Sequence, residues 1–325
     1  MEGRRATAEG RLYACEADES RPMTEFLEVL RYREVLWNLV RRNLKVRYKN
    51  SVLGFAWSLL NPLMQIGVWY FVFKILFQHG EPNFMPFLII GFLPWLFFSQ
   101  TVLDSTACVT QEMPLVKKAY FPRSILPLSA LISNLIHLGL AFVVVFALFA
   151  IWGVSVNIHY LWVIPATILV AIFAYGLSGI LAAWSVFYAD VKFIVGNLIG
   201  LWFFLTPVLY PLWQVLGKTI DQPSNWLEWL LKDNLPRLKQ LFLLDPISIA
   251  VEGYRSALLH GGENFIRVSA GPKLTEAQAA ALQVSLRHDY PLLPYVIGAA
   301  VIAIATAIIG QIFFQRKADL FAEQG

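Results

Sequence analysis

The sequence predicts an all-α polytopic membrane protein with six transmembrane helices, an N-terminal amphipathic interfacial helix and short external helices between spans five and six. Three observations carry this. First, 57% of the 325 residues are hydrophobic and only 15% are charged, where soluble domains carry about 25% charged residues. A soluble globule of this size cannot hide so much apolar surface. Second, the apolar residues gather into six runs, 52–77, 84–108, 124–152, 162–187, 193–213 and 292–314, and only Lys74 and Asp104 among the charged residues fall inside them. Each run reaches the roughly 20 residues a helix needs to cross the hydrocarbon core, and none alternates polar and apolar residues as barrel strands do. Third, the basic excess lies on one side of these runs. An aromatic content of 14% with two cysteines also excludes disordered and disulfide-scaffold classes.

From the N-terminus, residues 1–23 read as a polar tail with no apolar core of a secretory signal, and Met23 is a candidate start. Residues 24–50 read as the interfacial helix. The stretch 31–49 holds seven basic residues against Glu34 alone. On a helical wheel Arg41, Arg42, Lys45 and Lys49 fall within an arc of about 100°, opposite Leu36, Trp37, Leu39, Val40 and Leu44, with Arg47 off the pattern. Such a helix lies in the headgroup layer with its cations near anionic lipid. The same cations equally serve as a plain topology anchor. The second loop adds Lys117, Lys118 and Arg123 against Glu112, and Arg316 and Lys317 follow the last run. On the opposite side the two short loops carry only Glu81, and residues 214–291 hold eight basic and eight acidic residues. The positive-inside rule then places both termini in the cytoplasm and the long loop outside. The net charge of +4 is a topology signal, and no nucleic-acid partner is expected.

Within the long loop, 226–231 and 235–244 read as short amphipathic helices at the outer leaflet. A polar insert follows Gly262, where Thr275 and Gln278 have capping-box spacing. Gly196 and Gly200 form a G-x-x-x-G pair suited to close helix approach. Pro207 and Pro211 break the fifth run near the outer surface. Asp104 and Lys74 are costly in lipid and are expected to face protein, water or the interface.

Enzyme chemistry finds little support. No acids or histidines converge as a membrane-bound glycosyl- or acyltransferase requires, and of the five histidines only His137 falls within a run. No metal cluster accompanies Cys15 or Cys108. Gly217, Lys218 and Thr219 mimic the end of a phosphate-binding loop, but Leu212 stands where its first glycine belongs. Two charges in the spans and no visible repeat argue against an ion-coupled transporter.

A set of motifs adds a family resemblance. Asn43-Leu-Lys-Val-Arg-Tyr-Lys49, Leu53-Gly-Phe-Ala-Trp57 and Leu60-Asn-Pro-Leu63 lead into the first run. Gly91-Phe-Leu-Pro-Trp-Leu-Phe-Phe-Ser99, Leu115-Val-Lys-Lys-Ala-Tyr-Phe-Pro-Arg123 and Ile125-Leu-Pro-Leu-Ser129 follow. Tyr188-Ala-Asp-Val-Lys192, Phe204-Leu-Thr-Pro-Val-Leu-Tyr-Pro211, Asp245-Pro246 and Glu252-Gly-Tyr-Arg255 complete the order. From about residue 30 to the C-terminus the chain resembles ABC-2 type permeases that export polysaccharides and polyol phosphates, including O-antigen, capsule and teichoic acid. The external loop departs from the family's usual length.

The resemblance implies a half-transporter of the inner (plasma) membrane, not an enzyme, whose ABC-2 transmembrane domain covers 51–325. A second copy completes the pore. Two ABC ATPase subunits supply energy, so ATP and Mg2+ belong to the partner and no cofactor to this chain. The implied cargo is a lipid-linked polysaccharide such as O-antigen; the alternatives are a capsule or teichoic-acid polymer, or a small molecule. The family's coupling helix maps to Leu115, Lys117, Lys118, Tyr120, Phe121, Pro122 and Arg123. Cations flanking an aromatic pair are also what interface hot spots use, so Tyr120 and Phe121 are expected as partner anchors, with Asp190 and Lys192 as a second contact. The family's aromatic channel maps to Trp57, Trp69, Tyr70 and Phe71 of the first span and Trp202, Phe203 and Tyr210 of the fifth. Aromatic faces there can lie against sugar C–H faces; the competing roles are lipid-facing belt and helix packing.

Overall fold

The computed structural model describes residues 29, 31–48, 56–76, 84–118, 121–151, 158–210, 242, 244–259 and 292–322, and among them every regular element is a helix. Helix α1 (Arg33–Tyr48) carries Glu34 in its first turn and Lys45 and Arg47 in its last, the signs that complement the helix dipole. Helix α2 (Ala56–Tyr70) continues into a wider-wound π-helical stretch, Phe71–Leu76. Helix α3 (Phe84–Gln111) leads through Glu112 into the short α4 (Met113–Lys118). Helix α5 (Ile125–Ile151) and helix α6 (Val163–Phe187), entered by a tight turn at Ile158–Trp162, are followed by α7 (Val191–Leu205). Helix α8 (Pro246–Leu258) and helix α9 (Leu292–Ala318), which ends in the turn Asp319–Ala322, complete the set.

Among the described residues the six apolar runs translate into four helices long and apolar enough to cross a bilayer, at Met85–Gln111, Ile125–Ala150, Tyr160–Phe187 and Pro294–Ala318. The fifth run gives less. Helix α7 has 15 residues, or about 22 Å at 1.5 Å per residue, against a hydrocarbon core of about 30 Å. Its stop is local chemistry. Thr206 precedes Pro207 and adopts the extended backbone (φ −84°, ψ 137°) that the proline ring imposes on its predecessor. Residues 1–28, 211–241 and 260–291, with the expected tail, most of the external helices and the Thr275 capping box, lie outside the described residues.

Helix α3 is the hub. Its apolar stretch is 72% buried, against 17% for α9. Leu88, Ile90, Phe98 and Val102 are buried where α3 meets Val170, Phe173 and Ala174 of α6 and Ile247, Val251 and Tyr254 of α8. A second cluster at the other end joins Leu39 of α1, Val109, Val116, Phe121, Ile125, Ala183, Phe314 and Phe321.

Helices α6 and α9 touch backbone to backbone. A Cβ on Gly179 would sit 2.9 Å from the Gly310 carbonyl oxygen, and one on Gly310 would overlap the carbonyl of Gly176. Small residues that let helix backbones meet are the standard solution in lipid, where apolar side chains gain little by leaving the solvent. By contrast, Gly196 and Gly200, the pair the sequence singles out, have no described atom within 4 Å of a built Cβ.

Candidate functional site

The expected channel aromatics fall into two groups. Trp69 of α2 stacks on Phe203 of α7 with ring centroids 4.9 Å apart, and Phe92 of α3 meets Trp69 edge-on at 4.9 Å. Trp202 meets Phe98 edge-on at 5.3 Å, and Phe98 stacks on Phe173 at 5.7 Å. These rings attach α2 and α7 to the hub, each pair adding about 0.5–1.5 kcal/mol beyond its burial. Tyr70 is half-buried against the same cluster. Trp57 and Phe71 are exposed, and so are Phe193 and Phe204 of α7. The two helices therefore present an apolar face that no described residue covers.

Beyond α7 lies a buried polar joint in which the two terminal nitrogens of Arg255 are bonded and its Nε meets no partner among the described residues. Tyr210 donates to the carbonyls of Phe204 (2.9 Å) and Leu205 (3.2 Å). Helix α8 starts at Asp245, whose carboxylate accepts from the backbone N–H of Ile247 (3.3 Å), the N–H of Ser248 (3.1 Å) and the Ser248 hydroxyl (2.6 Å), with Pro246 in the first turn. This is an N-cap with proline at the position that tolerates it best. Burial pushes the Asp245 carboxyl above the usual carboxylate range, against the bonds from Ser248 and Ile247.

Three turns on, Arg255 is 1% exposed. Its Nη1 donates to the Pro207 carbonyl (2.7 Å) and more weakly to that of Tyr210 (3.4 Å), while Nη2 donates to Val208 (2.7 Å). The guanidinium lies 3.6 Å from the centroid of Phe87 and 3.9 Å from the Glu252 carboxylate. It closes against Gly91, where a Cβ would stand 2.6 Å from Nη2. Burial pushes the group down to about 10, with Glu252 opposing. Tyr254 beside it bonds Thr167 of α6 at 2.6 Å. The Tyr210 hydroxyl thus takes the last free carbonyls of α7, and the fork of donors takes carbonyls of the turn that follows, near the negative end of the helix dipole. The Glu252-to-Arg255 motif carries no assigned role in the sequence reading. The signal for the helix was nevertheless present: aspartate then proline before an apolar stretch is a helix start.

On the other side of the bundle α3 turns into α4 at Glu112, whose carbonyl accepts from Leu115 and Val116 at 2.9 Å each. Lys117 and Lys118 are exposed, Leu115 is half-buried, and Tyr120 lies outside the described residues. Phe121, expected as a partner anchor, is 7% exposed and packs with Val116, Phe314 and Phe321. Its ring holds the hairpin between α4 and α5 within the chain. Pro122 is buried, and Arg123 sits 6.0 Å from the Phe321 ring. Asp190 and Lys192 are exposed where α7 begins.

The cations of α1 divide. Arg41 and Lys45 are exposed, Arg41 lying 5.5 Å from the Trp37 ring, and Lys49 is outside the described residues. Arg42 pairs with Glu112, and Arg47 pairs with Asp104. Asn43 donates to Ser129 at 3.3 Å, Arg47 to the Asn134 side-chain oxygen at 3.1 Å, and Asn134 to Asp104 at 2.8 Å. Positions 43 and 47 thus meet 129 and 134, so α1 keeps pace with the first turns of α5 and runs beside it. The helix expected in the headgroup layer runs beside α5 and meets carboxylates at two levels of the bundle, Glu112 and Asp104. Arg47, the residue off the wheel pattern, is the one that neutralises Asp104. A cavity of about 290 Å³ opens between α1, α3 and α5, lined in part by Arg42, Arg47, Asp104, Glu112 and Ser133. Among the described residues no group of three or more His, Cys, Asp or Glu could hold a metal ion.

Long apolar helices packed around a buried hub define a multi-pass helical membrane protein. Residues 34–259, from the start of α1 to the end of α8, match the ABC-2 type transporter family, and the chain belongs to that family. It is 38% identical over 236 residues to the O-antigen export system permease protein RfbA of Myxococcus xanthus, covering 69% of this chain and 90% of that protein. Two proteins of the same name from Klebsiella pneumoniae are 34% and 28% identical over 237 residues, each covering 73% of this chain and 84% of the relative. As an ABC-2 permease the chain is a transport subunit rather than an enzyme.

Proposed function

We propose that this chain is the transmembrane half of an ABC exporter that moves a lipid-linked polysaccharide such as O-antigen out across the inner membrane. Two copies form the pore and two separate ATPase subunits bind ATP and Mg2+. The observation that carries the reading is the similarity to O-antigen export permeases over more than two thirds of this chain. In this reading the chain crosses the membrane six times with both termini in the cytoplasm, and α2 and α7 supply spans too short in helix alone to be counted by length. Lys117 and Lys118 receive the ATPase, while the uncovered aromatics Trp57 and Phe71, with Tyr70, border the polymer path. Arg41 and Lys45 meet anionic lipid.

Reconstitution tests this. The chain, purified with an ATPase partner in proteoliposomes, is expected to show hydrolysis stimulated by lipid-linked polymer, and cells lacking the chain are expected to lose surface polymer while accumulating it inside. Normal surface polymer in such cells would refute the assignment.

A further inference from the structure

Two of the α1 cations meet α3 carboxylates at two separate levels. Arg42 meets Glu112 at the elbow into α4, and Arg47 meets Asp104, eight residues or about 12 Å further along α3. A helix held at one level can pivot about the contact. Held at two levels, it must follow its neighbour in both translation and tilt.

The same stretch of α1 is also tied to α5, through Asn43 to Ser129 and Arg47 to Asn134, with Asn134 bonded in turn to Asp104. The side chains of Arg42, Arg47 and Asp104 are 46%, 31% and 37% exposed, and what separates these contacts from isolated surface pairs that contribute little is the bonding of Arg47 and Asp104 to Asn134. The Glu112 side chain is 10% exposed, and Asp104 lies on a spanning helix, where an unpaired carboxylate is costly. Leu39 and Val40 of the same helix are buried, Leu39 in the cluster with Cys108 and Val109. Glu112 also accepts the first backbone bonds of α4 through its carbonyl. One residue therefore belongs to the α4 turn by its backbone and to α1 by its side chain.

We infer that the Arg42–Glu112 and Arg47–Asp104 pairs fasten α1 to the α3–α4 elbow as one rigid unit, so that a push on α4 is delivered to α1, α3 and α5 together. The four residues are positioning residues for the coupling of ATP hydrolysis to transport. The inference rests on the transport reading above and adds to it the route by which force reaches the membrane helices.

The test uses the full chain with its ATPase partner in proteoliposomes, comparing Arg42→Glu, Glu112→Arg and the double exchange. The readouts are polymer moved per ATP hydrolysed and ATPase co-purification. Each single change is expected to lower polymer per ATP on the order of tenfold, the scale of a typical coupling free energy, while the ATPase still co-purifies. The double exchange, which restores opposite charges at the contact, recovers most of the loss. Singles that couple like wild type, or a double no better than the singles, overturn the inference.

A second experiment does not depend on tolerating reversed charge. Cysteines at 42 and 112, in a chain with Cys15 and Cys108 changed to Ser, are joined by a short bifunctional reagent. The cysteine chain, which lacks the ion pair, is expected to couple as poorly as the single exchanges before joining and to recover when joined; no recovery overturns the inference. Arrest on joining shows that α1 must leave the elbow during transport and overturns the inference. Wild-type complex that moves no polymer overturns the transport reading, and this inference with it.

Discussion

Gly91 and Arg255 form a pair whose energetic coupling can be measured. An alanine Cβ at 91 would stand 2.6 Å from Nη2 and 3.2 Å from the central guanidinium carbon. The side chain has no room to swing aside, being 1% exposed and held by two 2.7 Å bonds to carbonyls. Gly91→Ala therefore displaces the fork. Each carbonyl left unpaired costs about 1–3 kcal/mol, or roughly 2–6 kcal/mol for the two, while alanine returns about 1 kcal/mol of helix propensity over glycine. The net expectation is destabilisation by about 3 kcal/mol. With Arg255→Met in place the guanidinium is gone, the carbonyls have already lost their partners, and Gly91→Ala should be neutral or stabilising by up to about 1 kcal/mol. The coupling between the two sites is thus about 3–4 kcal/mol, at or just above the upper end for touching residues. Thermal unfolding of the four chains in detergent, followed by the monodisperse fraction remaining, measures it. An equal penalty for Gly91→Ala in both backgrounds would refute the reasoning.

Three further outcomes follow from the packing. Phe121→Ala should cost about 3–5 kcal/mol as a buried aromatic truncation and so lower thermal stability, whereas Lys117→Glu with Lys118→Glu should leave melting unchanged and reduce ATPase co-purification; the reverse pattern would return Phe121 to the partner surface. Gly310→Ala should destabilise by more than about 3 kcal/mol, since backbone stands where the methyl must go and overpacking a tight contact costs about 1–3 kcal/mol even where side chains can yield, while Gly200→Ala should be tolerated in the isolated chain by the same melting assay. Asp245 carries a pH dependence. Its folded-state carboxyl titrates above the unfolded one, so its contribution to stability is present at low pH and lost as pH rises through the raised value. Melting profiles of wild type and Asp245→Asn from acid to neutral pH should diverge, with wild type relatively more stable on the acid side.

Much of this organisation was legible because charge placement and apolar run length are strong signals in a bilayer. The runs at 84–108, 124–152, 162–187 and 292–314 became helices long and apolar enough to cross a bilayer, the first of them carrying Pro94 within it. The run at 193–213 was longer in composition than in helix; hydropathy does not register what Pro207 does to Thr206, and it was the proline itself that marked the break. Phe121 looked like an exposed anchor because flanking lysines mark a surface segment. Which side of a short turn faces inward depends on Phe314 and Phe321, almost two hundred residues away. Arg47 was set aside by the wheel for the same reason: its partner Asp104 sits on another helix, and periodicity within one segment carries no information about a neighbour. Gly176, Gly179 and Gly310 passed unnoticed since their spacing matters only across the α6–α9 crossing, while Gly196 and Gly200 fit a local pattern and meet no described atom.

The α6–α9 crossing bears on how a transport cycle can be accommodated. Contacts made by side chains have slack, because a rotamer can change while the helices shift. Where main chain lies on main chain at Gly176 and Gly310, no such slack exists, and any sliding drives one peptide into the next. These two helices therefore behave as a single beam. Rearrangement is left to joints cushioned by rings, as at Trp69 and Phe203, so the moving parts of this protein and its stationary frame are distinguished by whether side chains separate their backbones.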